Sequence, residues 1–318
     1  MRRGRARRGR HGHAGRGRRR RADPSAREQV LRPPHRRDHR PVRLPVDALH
    51  LHRRSFWRYT RAPARCPMYE VYALKYAERD TTKCQFFYRE ASHDPLTLHY
   101  FVWLILGGPH PVLVDTGFLE DDARARHIRN YVSPAAMVER AGIKRGDVPM
   151  ALITHLHYDH WAGHSLFPEA QYWIQGEEVA FWTGPFGSTP AFRGSANVDA
   201  LARLVSLNYA NRIRVVEGDR EVLPGIRVHR VGGHTAGLQI VSVKTARGTV
   251  VLTSDASHFY HNVETRQPVQ IITSLPEMLT AFETIHELAG AEKLIVAGHD
   301  PQVADRFKRV DDGIVKIA

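Results

Sequence analysis

The stretch Ile153-Thr154-His155-Leu156-His157-Tyr158-Asp159-His160-Trp161-Ala162-Gly163 places four potential metal donors within six residues. It follows directly on an apolar run, Val148 and Met150 to Ile153, that reads as a buried strand. Alternation along the strand end puts His155, His157 and Asp159 on one side, and a turn over Tyr158 to Trp161 returns His160 to a second position. Imidazole and carboxylate gathered at a strand terminus call for a cation. Nitrogen donors joined by a hard oxygen favour zinc, iron or manganese over copper. The bland alternative is a histidine-rich turn that binds nothing.

Further donors follow downstream, each after a strand-like run. Gly232-Gly233-His234-Thr235-Ala236-Gly237 succeeds Ile226 to Val231, and its glycines allow close backbone approach while the imidazole projects. The β-branched run Thr249 to Thr253 ends in Ser254-Asp255, and Leu294 to Ala297 ends in Gly298-His299-Asp300. A lone histidine in a turn is more often packed or solvated than a ligand; a series of strand-loop units carrying donors is not. Together they offer five histidines and two aspartates. That is enough for two metals with three private ligands each and one shared carboxylate.

The order HxHxDH, GHTxG, SDA and GHD, from about Met68 to the C-terminus, resembles the metallo-β-lactamase superfamily, and within it the N-acyl-homoserine lactonase family. The resemblance implies His155, His157 and His234 on one zinc ion and Asp159, His160 and His299 on the other. Asp255 would bridge the two zinc ions together with a hydroxide. The run Val112-Leu113-Val114-Asp115-Thr116-Gly117 matches the family's early strand end, whose aspartate is expected to hold a ligand histidine rather than a metal. Without the other motifs that run would equally be an ordinary turn.

Ligand type sets several sister activities aside. Class B β-lactamases commonly carry cysteine where Asp255 stands, and neither Cys66 nor Cys84 lies near a motif. Flavodiiron proteins replace the second histidine of the first motif with glutamate. Persulfide dioxygenases would use a single iron. Glyoxalase II shares all seven ligands, but its glutathione substrate usually requires a basic C-terminal helical extension. The nineteen residues after His299 are expected to be too few for one.

The chain has 318 residues, 42% of them hydrophobic, enough for one large core. Its formal charge of +14 resides in residues 1–67, which hold 22 Lys+Arg against 4 Asp+Glu; the remainder is mildly acidic. That arginine-rich leader has almost no apolar periodicity before Val46 and is expected to be disordered, either a dispensable tail or a mis-assigned start, with Met68 as the natural beginning of a hydrolase domain over 68–318. The competing reading is an electrostatic arm for nucleic acid. The acidic remainder disfavours it. No signal peptide, membrane-spanning run or disulfide framework is visible, so a soluble cytoplasmic protein is expected, with its oligomeric state left open.

Residues Leu98 to Leu106 alternate between two apolar sets and read as an inner strand, with Pro111 to Asp115 as hairpin partner. Helices are expected at Ser133–Gly142, Val198–Tyr209 and Pro276–Leu288, and further strands at 213–216, 226–231, 238–244, 249–253 and 293–297. Periodicity alone gives a mixed α/β (α+β) chain. The resemblance implies the αββα sandwich, two mixed sheets flanked by helices.

A pair of cations acidifies a water and polarises a carbonyl, and an ester oxygen is a leaving group that a metal can receive. The resemblance therefore implies opening of a small-molecule lactone, an N-acyl-homoserine lactone in particular, with another lactone or a thioester as the alternative. Asp159 would serve as both ligand and proton shuttle. Well-known family members have tyrosine three residues after the bridging aspartate; here His258 stands there, with Tyr260 two residues on. His258 either takes the tyrosine's catalytic place or merely begins a helix. Trp161, Phe181, Trp182 and Phe186 are candidates for an acyl-chain groove, with core packing the equal alternative, and the Trp182–Gly194 stretch for a mobile substrate-facing loop. His164 reads equally as packing beneath the site or as a ligand.

Overall fold

The computed structural model describes residues 68–318; the leader, and the expectations placed on it, lie outside the described residues. The first half of the domain builds most of one sheet. Strand β1 (Glu70–Thr82) pairs antiparallel with β2 (Pro95–Leu106), and β2 with β3 (Val112–Val114). The short helices α1 (Glu120–Ala125) and α2 (Pro134–Arg140) follow, then β4 (Met150–Leu152), parallel to β3. Beyond the one-turn helix α3 (Tyr158–Trp161), β5 (Gln171–Gln175) extends the parallel run; α4 (Gly176–Thr183) and α5 (Val198–Tyr209) lead to β6 (Ile213–Val216) at the edge.

The second half builds the facing sheet. Strands β7 (Arg220–Leu223), β8 (Ile226–Arg230), β9 (Gln239–Thr245) and β10 (Gly248–Ser254) form an antiparallel meander. Helices α6 (Tyr260–Thr265) and α7 (Leu275–Ala289) then cross over to β11 (Leu294–Ala297), which lies parallel to β10. After α8 (Val303–Arg306), β12 (Lys308–Asp311) and β13 (Ile314–Lys316) return to the first sheet, where β13 pairs with β1. The sheets have eight and five strands, in the orders β12-β13-β1-β2-β3-β4-β5-β6 and β11-β10-β9-β8-β7.

Both faces of the larger sheet are covered, as the alternation within β2 requires. Phe101, Trp103 and Ile105 point between the sheets, against Val228, Ile240, Val250 and Leu252. Tyr100, Val102 and Leu104 point outward, under Met137 and Val138 of α2 and Leu204 of α5. On the far side, Met278, Phe282 and Ile285 of α7 cover the smaller sheet. This is the helix–sheet–sheet–helix sandwich that the motifs led us to expect. Helix α5 has the expected limits because Asn197 caps it, accepting the Ala200 N–H at 3.0 Å. Ser274 and Pro276 mark the start of α7 in the same way.

Not every element was legible. Strands β1, β5, β7, β12 and β13 were not anticipated; β12 is wholly exposed, so nothing in its sequence alternates. Among the described residues, no helix is long and apolar enough to cross a membrane.

Candidate metal centre

Five strand ends meet along one rim of the sandwich. Asp115 follows β3, and Thr154 and His155 follow its parallel neighbour β4. Asp115 sits at φ +61°, a conformation that aspartate tolerates better than most residues. From there its carboxylate accepts the Thr154 N–H at 2.7 Å, the Thr154 hydroxyl at 2.8 Å and the His160 Nδ1–H at 2.7 Å. The expected role for Asp115, holding a histidine, is thus present in the geometry.

One expectation is corrected. Asp159 does not alternate with His155 and His157 along an extended strand. His157 is the last extended residue (φ −65°, ψ 159°), and Tyr158 opens α3. The helical turn carries Asp159 and His160 away together, so both join the second donor cluster.

The smaller sheet supplies the rest. His234 sits in the loop after β8, which closes tightly at two glycines. A Cβ on Gly233 (φ +88°) would lie 2.7 Å from the Met278 nitrogen, and one on Gly237 would lie 2.2 Å from that of Glu178. Asp255 and His299 follow β10 and β11, parallel neighbours whose ends lie side by side. A hydroxyl pair, Thr154 Oγ1 and Ser254 Oγ at 2.8 Å, ties the two sheets together beneath the donors.

All seven expected donors converge in two clusters that share Asp255. In the first, the His157 Nδ1 lies 3.0 Å from the Nε2 of both His155 and His234. Asp255 Oδ2 completes it, 3.6 Å from His155 Nε2 and 3.2 Å from His234 Nε2. In the second, Asp255 Oδ1 lies 3.3 Å from His160 Nε2 and 3.0 Å from His299 Nε2. Asp159 Oδ2 stands 3.6 and 3.7 Å from the same two nitrogens. Donors around a tetrahedral zinc ion stand roughly 3.3 Å apart, so both clusters fit the ion.

The hydrogen bonds behind the rings fix which nitrogen carries the proton. Carbonyl oxygens only accept, so His234 donates from Nδ1 to Ile271 O at 2.8 Å, and His299 donates from Nδ1 to His99 O at 3.0 Å. Each Nε2 is left with its lone pair facing inward. His160 Nε2, buried and without a hydrogen-bond partner, is a donor atom waiting for a cation.

Electrostatics agree with that fit. Burial, reinforced by neighbouring imidazoles, holds His155 and His157 well below the usual histidine range, which keeps them neutral. At His160 burial pulls the same way, but Asp255, Asp159 and Asp115 outweigh it and drive the group well upward; His299 is raised likewise by Asp255 and Asp159. The second cluster therefore demands positive charge where its carboxylates meet. A divalent cation supplies it.

His258 is buried at the same centre, its Nε2 2.9 Å from Asp255 Oδ2, its Nδ1 without a partner, and its ring edge-on to Phe86. Burial pushes it down to about 4 against the pull of Asp255, so the ring is neutral at pH 7. It precedes α6 but faces the donors. Tyr260 does not: its hydroxyl donates to Ile295 O at 3.2 Å, beneath the Arg306 guanidinium.

The aromatic groove candidates do not line the cavity over the donors. Trp161 is buried, donates to Ala200 O at 2.9 Å and stacks on His164, which packs beneath the site. Trp182 donates to Glu178 at 2.7 Å and stands edge-on to His157. The cavity's apolar wall comes instead from Phe86, Leu98 and Ile271. Gly194, at the end of the expected substrate-facing loop, does reach it, as does Ser195 just beyond. Sequence reasoning also missed Glu178, whose buried carboxylate holds both ligand loops, and Arg79 and Arg126 on the cavity wall. A glutamate in the first turn of a helix ordinarily reads as a partner for the helix dipole, so nothing set Glu178 apart.

Comparison with known proteins points the same way. An N-acyl homoserine lactonase of Bacillus cereus is 28% identical over 221 residues, which span 64% of this chain and 82% of that protein. The structure of an N-acyl homoserine lactone hydrolase, with N-hexanoyl-L-homoserine bound at its catalytic metal centre, superposes with a TM-score of 0.65 at 21% identity, covering 78% of this chain and 99% of that one. A dizinc quorum-quenching lactonase with bound product gives a TM-score of 0.61 at 14% identity, covering 74% and 89%. At these identities the two structures speak for the fold alone. The family description "Metallo-beta-lactamase superfamily" matches residues 97–302, a span that includes every donor named above. By that match, with the sandwich and its paired donor clusters, this chain belongs to the metallo-β-lactamase superfamily.

Proposed function

We propose that residues 68–318 form a dinuclear zinc hydrolase that opens the lactone ring of N-acyl-homoserine lactones, a quorum-quenching activity. His155, His157 and His234 would hold one ion, Asp159, His160 and His299 the other, with Asp255 between them. The observation that carries this reading is the shared aspartate, whose two oxygens face different clusters. The activity recorded for the relatives supports the substrate.

When bound, the zinc pair supplies Lewis-acid polarisation of the lactone carbonyl and an acidified water. The chain's own groups do the rest. Asp159 lines the cavity and takes the proton released on attack, returning it to the departing ring oxygen. His258, as a neutral imidazole, donates from Nε2 to Asp255 and lines the cavity where family members place tyrosine. Phe86, Leu98 and Ile271 exclude water from the acyl side. A cytoplasmic location completes the proposal.

A pH-drop assay on acyl-homoserine lactones, other lactones and S-lactoylglutathione, with metal analysis of the same sample, tests it. The expected result is lactone turnover with two zinc ions per chain. Turnover of S-lactoylglutathione alone would overturn the substrate. Asp159→Asn should lower turnover more than metal content. Deletion of residues 1–67 should leave lactonase activity intact; its loss would contradict the domain limits.

A further inference from the structure

The cavity over the donor clusters has a volume of about 200 Å³, and two arginines share its lining with the metal donors and the apolar wall. Arg79 comes from β1, directly across from Leu98 of β2. Arg126 follows α1. Both are half-buried.

Neither guanidinium is neutralised. Arg126 lies 3.7 Å from the centre of the Tyr158 ring and gives one N–H to Gly194 O at 3.2 Å, leaving most of its five donors unused. Burial, reinforced by Asp159, pushes the Tyr100 hydroxyl up to about 12, and Arg79, which hydrogen-bonds to it, opposes the rise. Among the described residues, no carboxylate pairs with either arginine, Asp159 included. The acidic neighbours are engaged elsewhere: Glu78 by Lys75 at 2.5 Å and Arg129 at 3.4 Å, Asp80 by Arg129 at 2.6 Å, and Asp122 by Asn197 at 2.9 Å. A neutral alkyl chain would leave both guanidiniums without a counter-charge. A planar carboxylate matches their fork geometry.

We propose that Arg79 and Arg126 form an anion-binding pair, and that the preferred substrate carries a carboxylate on its acyl part, beyond the scissile carbonyl. This rests on the hydrolase reading above and narrows its substrate class.

The test is kcat/KM of the full-length, zinc-loaded protein on matched pairs. N-glutaryl- and N-pentanoyl-homoserine lactone share chain length and differ in the terminal carboxylate. Phenyl glutarate and phenyl pentanoate form a second pair without a lactone. Wild type should prefer the charged member of each pair by about tenfold or more. Arg79→Gln and Arg126→Gln should each reduce that ratio, and the double variant should bring it close to one. Damage to the fold would lower both members of a pair and leave their ratio unchanged. A wild-type ratio at or below one overturns the proposal without any variant, as does a ratio that survives in the double variant. If both lactones turn over equally, the arginine pair falls and the lactonase reading stands. If neither lactone reacts but phenyl glutarate outpaces phenyl pentanoate, the reverse holds.

Discussion

Glu178 Oε1 accepts the Leu156 N–H at 2.9 Å, midway between the histidines of the first ligand loop. Its Oε2 accepts the Gly237 N–H at 2.8 Å, in the loop that carries His234. One buried carboxylate thus holds two ligand loops from different sheets. Burial raises its pKa, and these N–H groups, with that of Trp182, oppose the rise. Glu178→Gln puts an amide N–H against one of the backbone donors and loosens that grip. Zinc retention in a chelator titration should weaken by about tenfold or more. Retention equal to wild type would show that the loops hold themselves.

Asp115 fixes the His160 ring through a 2.7 Å hydrogen bond. Asp115→Asn cannot accept as strongly and frees the ring to rotate. The second cluster should lose its ion first, and metal analysis should find closer to one zinc per chain than two. Two tightly held ions in the variant would show that His160 needs no such partner.

His258 and Tyr260 should respond in a fixed order. His258 faces the donors, whereas the Tyr260 hydroxyl points away to Ile295 O. His258→Ala is expected to lower kcat more than tenfold, and Tyr260→Phe to act less. Steady-state kinetics giving the opposite ranking would mean that the loop after Asp255 turns differently.

His164, stacked on Trp161 at 4.6 Å, is pushed down to about 4 by burial. Its folded pKa lies below the unfolded value near 6.5, so the unfolded chain takes up the proton first. The stability is present above pH 6.5 and is lost as pH falls towards 4. For this group alone the loss between pH 7 and pH 5 is about 2 kcal/mol. Urea unfolding of wild type and His164→Phe at both pH values should show a smaller drop in the variant; equal drops would assign the acid sensitivity to other groups.

The donors were legible because each group of them follows an apolar strand, and polar residues at that place stand out from their surroundings. Helix α5 was legible from the helical spacing of Leu201, Leu204 and Val205 behind its Asn197 cap, and β11 from its apolar run. Alternation alone misplaced Asp159, because it was carried past Tyr158, where the turn expected over Tyr158 to Trp161 begins as helix α3; the resemblance had put Asp159 with His160 and His299. Arg79 stands some eighty residues before Asp159 in a strand that no alternation announces, so its place in the cavity depends on the pairing of β1 with β2. Such long-range neighbours are properties of topology rather than of local pattern.

Two of the inward-facing histidines owe their orientation to main-chain carbonyls, His234 to Ile271 O and His299 to His99 O. A carbonyl is the same whatever side chain its residue bears. The aim of these two rings therefore does not depend on which side chains stand at positions 99 and 271. Part of this centre's machinery is inherited through the path of the backbone and leaves no signature among the letters of the sequence.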